Sequence, residues 1–344
     1  MPDMLAHYLV ADAAARQAGN CIGPFVDRAF DAYKVGAQGP DVLFYSRLFR
    51  RRRRSGLASL THQQHTTAAL RRMLDRAAAL PEQRREVAHA FIAGYASHLC
   101  LDAEAHPWVM YWTGDITGAA GPEATTEAFR RHGILEASLD VLLRGERSVR
   151  TDWLRKQRLL HLPAAQAEII SELLSDMLLD VYDTEFTPAE ARASFRAMEW
   201  IYATMSDPRA VPKRLIAAAA PLTQHRTVVR SQIYPEAPAP TAASLYSRRH
   251  PWRHPFSPNE ARTETFAELC DIATAETVLC LQAICAVARG EAAADDALRI
   301  IGDRSMFTGL ACDDARPATV FAPDLELLWS GRDGVAAGLL SGSS

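Results

Sequence analysis

The sequence predicts an all-α protein, a bundle of many helices with one long, irregular, proline-rich connection. Up to about residue 222, apolar residues recur at spacings of three and four, which is the period of a helix with one buried face. Alternating runs of β-branched residues, the pattern of a half-buried strand, are hard to find. Residues 233–258 are so dense in proline that a regular helix is not expected there.

Seven helices are predicted before this connection and two after it. They span residues 4–17, 24–34, 57–79, 81–102, 123–143, 164–182 and 188–205, then 264–288 and 293–301. The start at residue 188 is the best marked, because Thr187 is a capping residue, Pro188 takes the first helical position and Glu190 lies in the first turn.

Length, charge and cysteine use limit the class of protein. The chain has 344 residues, 48% of them hydrophobic, which is enough to bury one large core or two modest ones. Its 38 basic and 41 acidic residues give a net charge of -3, so no overall basic field attracts nucleic acid or an acidic membrane. Six scattered cysteines without a CxxC pair are typical of reduced, mostly buried thiols.

Two observations concern membranes and location. The longest nearly apolar run, 278–288, is well short of the roughly 20 residues that span a bilayer, so no transmembrane helix is expected. The first residues contain Asp3 and no basic residue before Arg16, which is not the pattern of a signal peptide. The sequence therefore predicts a cytoplasmic protein.

Histidine spacing carries most of the functional signal. Among eleven histidines, His98 and His106 flank Asp102 at four residues on either side, so on a helix the three side chains share one face. His132 and Glu136 repeat this spacing, although taken alone they also fit an ordinary pair on a helix surface. Because both stretches border apolar residues, several ionisable groups turned inward together indicate a metal or catalytic site.

Through these motifs the chain resembles the bacterial zinc-dependent phospholipases C, in particular a branch without a signal peptide. The resemblance rests on five stretches in the same order, which are MPDMLAHYL at 1–9, VGAQGPDVLFY at 35–45, GLASLTHQQHT at 56–66, GYASHLCLDAEAHPWVMYWTG at 94–114 and HGILEASLD at 132–140. Five ordered motifs are a specific signal, whereas one alone is weak. The resemblance implies a mostly helical fold, shared with single-strand nucleases, around a cluster of zinc ions.

The resemblance also implies which side chains hold the metal. The implied ligands are His62, His98 and Asp102 for one zinc, His106, His132 and Glu136 for a second, and His7 with a bridging Asp102 for a third. Asp41 matches a carboxylate near the metals that acts as ligand or general base. His65 competes with His62 three residues along the same predicted helix, but Thr66 also fits the motif and favours His62.

Two positions differ from the secreted members of that family. Those members bind the third zinc through the amine of an N-terminal tryptophan, whereas this chain begins Met1-Pro2. His106 follows Asp102 by four residues rather than six, the shorter form of the intracellular relatives. We therefore expect two or three zinc ions, and imidazole and carboxylate ligands without thiolate suit zinc in a site with open positions.

The activity implied by the resemblance is that of a hydrolase. A metal-dependent phosphodiesterase of the phospholipase C type would use metal-bound hydroxide to cleave a phospholipid or a small phosphodiester. Asp41 would orient the water or take its proton. Tyr45, Trp108 and Trp112 either face a lipid headgroup or pack in the helical core.

Two other functions stay open on the same residues. A single-strand nuclease of the same fold would have nucleic acid as its partner, and the basic run from Arg50 to Arg54 is either a phosphate contact or a solvated loop. In a catalytically inactive protein whose fold is stabilised by zinc, protein side chains would fill every coordination position of the zinc. No feature of the sequence determines the headgroup or the oligomeric state.

The chain divides into three predicted regions. Residues 1–222 form the helical, metal-binding catalytic domain. Residues 223–311 form the proline-rich connection and C-terminal helices that pack on the same body, and HPWRHPFSPNEARTETFAELCDIA within them resembles the family more weakly. Residues 312–344 form a tail that we expect to be poorly ordered.

Overall fold

Helices make up most of the structure. The computed structural model describes residues 4–19, 26, 28–48, 56–118, 121–146, 160–205, 235 and 237–330. Within these residues the one sheet has two strands, which confirms the all-α prediction. The predicted role of Arg50 to Arg54 lies outside the described residues.

The described helices follow one another with short connections. In chain order they are α1 (Met4–Ala18), α2 (Phe30–Gly36), a 3₁₀ segment (Gly39–Leu48), α3 (Leu57–Gln63), α4 (Thr66–Ala78), α5 (Glu82–Thr113), α6 (Pro122–Glu146), α7 (Ala164–Tyr182), α8 (Pro188–Met205), α9 (Pro240–Ser247), α10 (Phe266–Ala288), α11 (Ala294–Ile301) and α12 (Leu325–Leu328). Strands β1 (Trp252–His254) and β2 (Ser257–Arg262) pair antiparallel between α9 and α10.

Helix α5 lies at the centre of the bundle. Almost every residue from Ala88 to Thr113 is buried, and α1, α2, α4, α6, α7 and α10 all pack against it. The helix was predicted to end at Asp102, but it continues through Pro107 to Thr113. A proline removes the hydrogen bond to the carbonyl four residues earlier and its ring crowds that carbonyl, and packing on all sides of α5 outweighs this cost.

A single helix was predicted over 57–79, and the structure breaks it in two. Helix α3 ends at Gln63 and α4 begins at Thr66, with His65 between them at a left-handed φ of 58°. The Tyr182 hydroxyl, on α7, donates to the Gln64 carbonyl at 2.8 Å, so a tertiary contact satisfies the backbone at the break. The break leaves His62 buried and His65 exposed.

The region after residue 234 contains more regular structure than the sequence predicts. Helix α9 and the β1–β2 hairpin lie inside the proline-rich connection, and α9 begins with Pro240 at its first position. The predicted poorly ordered tail is packed over its described part, 312–330. Ala322 N–H donates to the Tyr111 carbonyl at 2.8 Å, and Trp329 Nε1–H donates to the Trp112 carbonyl at 2.8 Å. Residues 331–344 lie outside the described residues.

Helix α10 is long and apolar enough to cross a membrane by length and composition, with a mean hydropathy of 1.5. A helix over 264–288 is predicted from the sequence, but its longest uninterrupted apolar run is too short to predict a membrane span. In the structure α10 packs along α5 and α1, and a capping box between Thr265 and Glu268 marks its start. A core helix of a soluble protein passes the same test of composition.

Candidate metal centre

The helical bundle buries all eight side chains that the resemblance implied. His7 comes from α1, Asp41 from the 3₁₀ segment and His62 from the end of α3. The remaining ones are His98, Asp102 and His106 on α5, and His132 and Glu136 on α6. Four separate elements therefore converge on the long central helix. The spacing of four predicts the shared faces on α5 and on α6, and the resemblance implies the residues of the other three elements.

Asp102 lies at the middle of a first group of side chains. Its carboxylate oxygens are 3.0 Å from His98 Nε2, 3.3 Å from His7 Nε2 and 3.8 Å from His62 Nε2. Asp41 closes the group from the other side, with Oδ1 3.0 Å from His62 Nε2 and 3.8 Å from His98 Nε2. The rings of His7 and His98 stack with their centroids 3.9 Å apart.

A second group lies beside the first, one helical turn along α5. His132 Nε2 is 2.8 Å from Glu136 Oε1, and His106 Nε2 is 4.0 Å from the same oxygen. The two groups adjoin because Asp102 Oδ2 is also 3.7 Å from His106 Nδ1. Three sets of three ligand atoms, each within 4.8 Å of one another, thus occur within the described residues: His7, Asp41 and His98; His62, His98 and Asp102; His106, His132 and Glu136.

Three of the histidines are oriented as metal ligands usually are. Nδ1 bonds to a backbone carbonyl in each: His62 to Ala58 at 2.6 Å, His98 to Ala37 at 3.1 Å, and His106 to Met306 at 2.5 Å. With Nδ1–H as the donor, the lone pair of Nε2 is directed into the centre. The backbone therefore fixes both the tautomer and the ring orientation that a metal requires.

Several buried polar atoms of the centre lack a hydrogen-bond partner. They include Nε2 of His98, Nε2 of His106 and both carboxylate oxygens of Asp102. A carboxylate buried in this way is costly unless a cation compensates it. Nitrogen and oxygen donors without a thiolate suit zinc. The residues present therefore fit the metal that the family implies.

Burial and the neighbouring charges shift the pKa values of the centre in opposite directions. Burial by itself raises the pKa of Asp102, but His106, His98 and His7 outweigh it and hold that pKa well below its ordinary value. Burial lowers the pKa of His98, but Asp102 and Asp41 outweigh it and raise that pKa above its ordinary value. Burial lowers the pKa of His106 and of His132 well below the ordinary value. Because a metal binds the neutral imidazole, it would have to displace the proton that Asp102 and Asp41 favour on His98.

Gly39 shows how closely the 3₁₀ segment approaches α5. Its φ is 50°, and a Cβ at this position would lie 2.5 Å from the ring of His98. Glycine is therefore required both by the backbone conformation and by the contact. The turn that it permits carries Asp41 two residues later onto the centre.

The sequence analysis missed one contribution to the centre, which comes from residues 302–312. The carbonyl of Met306 holds His106, and the ring of Phe307 stacks on His62 with a centroid distance of 5.5 Å. Neither residue type signals such a role, and no part of the stretch matches a ligand motif.

The three aromatic residues that could face a lipid headgroup each pack against another aromatic ring. Trp108 and Trp112 are buried, and the Trp108 ring packs 5.8 Å from the ring of Phe266 in the core. Tyr45 is half-buried with its ring 6.1 Å from Tyr202. For the two tryptophans, core packing is thus the role that the structure supports.

A family model for zinc-dependent phospholipase C matches residues 6–180, just over half of the chain. The chain belongs to the zinc-dependent phospholipase C family. The matched residues include every side chain of both groups in the centre, so the zinc-dependent phospholipase C match and the geometry agree. No curated protein and no solved structure matches the chain.

Proposed function

We propose that this protein is a zinc-dependent phosphodiester hydrolase of the phospholipase C type. The observation that carries the proposal is the pair of adjoining, buried ligand groups, whose histidines are already oriented by backbone carbonyls. Two adjoining metal groups suit phosphoryl transfer better than one closed structural site does. The proposed substrate is a phospholipid or a small phosphodiester, and the cytoplasmic location stays a prediction from the sequence.

The two carboxylates of the first group have different roles in the proposed reaction. When bound, zinc supplies a Lewis acid that activates water at neutral pH and offsets negative charge on phosphoryl oxygens. Asp41 is 5% exposed whereas Asp102 is fully buried, so Asp41 is the carboxylate of the first group that can meet a water molecule. We assign to Asp41 the orientation of that water and the acceptance of its proton. Asp102 would be a ligand of the metal held by the first group, together with His62 and His98.

Metal removal and single substitutions test this function. Protein treated with a chelator should lose hydrolysis of a chromogenic phosphodiester and regain it when zinc is added. His132→Ala and Asp102→Asn should abolish the activity, because each removes a ligand. His65→Ala is the matched control, since His65 is exposed and outside the centre. Hydrolysis at the parent rate by both ligand variants would overturn the proposal.

A substrate panel identifies the class of phosphodiester. Phosphatidylcholine, a small chromogenic phosphodiester and single-stranded DNA are offered separately to the zinc-loaded protein. The proposal predicts turnover of at least one of the first two. Turnover of single-stranded DNA alone would instead assign the nuclease activity. Tight zinc binding without turnover of any of the three would assign a structural role to the metal.

A further inference from the structure

Residues 302–312, which we name the closing loop, lie far outside the residues 6–180 that the family model matches, yet they contact the metal centre. The backbone of Met306 contacts both groups of the centre. Its N–H donates to the carbonyl of His62 at 2.7 Å, and its carbonyl accepts from His106 Nδ1 at 2.5 Å. The next residue, Phe307, places its ring 5.5 Å from His62 and 5.4 Å from His106.

The closing loop is held by specific contacts at its beginning. Asp303 accepts from the Thr66 hydroxyl and from the Thr67 N–H, both at 2.9 Å. Arg304 pairs with Glu276 on α10 at 2.7 Å and with Glu104 on α5 at 3.3 Å. These contacts fasten the loop to three helices, so the position of the Met306 carbonyl is defined before a metal binds.

Gly309 fixes the other end of the closing loop against α5. Its φ is 68°, and a Cβ there would lie 2.4 Å from the carbonyl oxygen of Ala103. Ala103 is four residues before Pro107, which lacks the N–H that would bond to this carbonyl in a regular helix. The loop thus packs on the carbonyl inside α5 that Pro107 leaves without its helical donor, and only glycine permits that approach.

The three oriented histidines differ in what holds them. His62 and His98 bond to the carbonyls of Ala58 and Ala37, neither of which belongs to the closing loop. His106 bonds through Nδ1 to Met306 of the closing loop. The same Nδ1 is 3.7 Å from Asp102 Oδ2, so a ring released by Met306 can turn toward that carboxylate and pair with it. Such a turn would remove Nε2 from the second group.

We infer that the closing loop is a positioning element for the second metal group, acting through the Met306 carbonyl on His106 and through the Phe307 ring on both histidine rings. The inference rests on the metal-binding part of the proposed function and not on its substrate. Partners that orient a ligand histidine are commonly worth about 10- to 100-fold in metal affinity. Displacing the loop should therefore weaken the second metal group more than the first, because His62 keeps its bond to the Ala58 carbonyl and His98 its bond to the Ala37 carbonyl.

Gly309→Ala displaces the loop without changing any ligand. We expect the metal-free variant to bind zinc at one class of site about 10- to 100-fold more weakly than the parent, with a smaller loss of affinity at the remaining class of site. Competition between zinc and a chromogenic chelator measures both classes. Zinc affinities equal to those of the parent at every site in the folded variant would overturn the inference, and so would equal weakening of all sites.

A matched pair of substitutions covers the case in which Gly309→Ala does not fold. Phe307 and Phe256 belong to the same small apolar cluster, but Phe307 contacts the two ligand histidines whereas Phe256 contacts His254. Phe307→Leu should change the visible absorption of the Co²⁺-loaded protein and speed metal release, and Phe256→Leu should do neither. Identical spectra and release rates for Phe307→Leu and the parent would contradict the inference.

These readouts separate the inference from the proposed function. A parent protein that binds no zinc would overturn the proposed function and the inference together. A parent that binds zinc and hydrolyses a phosphodiester, with loop variants that bind zinc as it does, would overturn the inference alone.

Discussion

Asp102 is a carboxylate that lies beside four histidines of the centre. It is fully buried, and its oxygens lie 3.0 to 3.8 Å from nitrogens of four histidines, His7, His62, His98 and His106. An uncharged side chain at this position leaves these imidazoles without their shared anion. The stability of a bound cation therefore depends on this carboxylate more than on any single histidine.

Asp102→Asn should bind zinc at least about 100-fold more weakly than the parent, because an anionic ligand is lost rather than only an orienting contact. Equilibrium competition with a chelator gives the affinity. Asp115→Asn is the matched control, since Asp115 is also buried but accepts hydrogen bonds from Thr117 away from the centre. Equal zinc affinities for the two variants would contradict the assignment of Asp102.

Asp140 positions His7 from a distance. Its two oxygens accept from the backbone N–H groups of Leu5 and Ala6, each at 2.9 Å, in the first turn of α1. These N–H groups have no acceptor within their own helix, and a carboxylate at a helix start is favourable. The contact joins α6, which carries His132 and Glu136, to the turn that carries His7.

Asp140→Asn should lower the free energy of unfolding by about 1 to 3 kcal/mol, because a buried, charged acceptor of two hydrogen bonds is replaced by a neutral group. Urea unfolding of the metal-free protein measures this loss. Asp12→Asn on the same helix, where Asp12 pairs with Arg16 near the surface, should cost less than about 1 kcal/mol. Equal losses for the two variants would remove the proposed role of Asp140.

Among the elements, helices with local signals were predicted best. The predicted helices 164–182 and 188–205 match α7 and α8 at both ends. Their signals, apolar periodicity and, for α8, the cap at Thr187, depend only on residues that are close together in the sequence. The break between α3 and α4 was not predictable in this way. It depends on Tyr182, which lies more than a hundred residues later and donates to the Gln64 carbonyl.

The candidate site likewise contains residues that local sequence signals predict and residues that depend on distant contacts. The ligands on α5 and α6 were predicted because imidazole and carboxylate groups repeat every fourth residue there, whereas His7, Asp41 and His62 were implied only by the resemblance to the family. Met306 was not predictable, because it contributes a backbone carbonyl, which every residue type possesses. Its place beside His106 depends on contacts between residues about two hundred positions apart in the chain.

The turn between α3 and α4 gives a test of which histidine is the ligand. His65→Gly should leave zinc affinity unchanged and keep the protein as stable as the parent, or up to about 1 kcal/mol more stable, since glycine tolerates the left-handed φ. His62→Ala should lose zinc affinity. Both are measured by chelator competition and thermal unfolding. Loss of zinc in His65→Gly with retention in His62→Ala would reverse the assignment.

At the scale of the whole molecule, folding buries a histidine that the metal groups do not use. Burial, with a smaller effect of Arg85, lowers the pKa of His89 from its ordinary 6.5 to about 4. The unfolded chain therefore takes up this proton at a higher pH than the folded protein does. His89 contributes full stability above pH 6.5 and loses it as the pH falls from 6.5 toward 4, by up to about 3 kcal/mol.

His89→Gln should make the free energy of unfolding less sensitive to acid. Urea unfolding at pH 7 and pH 4.5, with a chelator present in every sample so that zinc release does not contribute, compares the variant with the parent. The parent should lose about 2 to 3 kcal/mol more than the variant between the two pH values. Equal losses would show that His89 takes up its proton at the same pH in the folded and unfolded chains.

The most direct test of the account is a zinc titration of the metal-free protein with simultaneous measurement of phosphodiester hydrolysis. If the two buried groups form a catalytic centre, activity should rise with added zinc and reach its plateau at two or three equivalents per chain. Binding that saturates at a single equivalent, with no hydrolysis of any phosphodiester at any zinc concentration, would contradict the account.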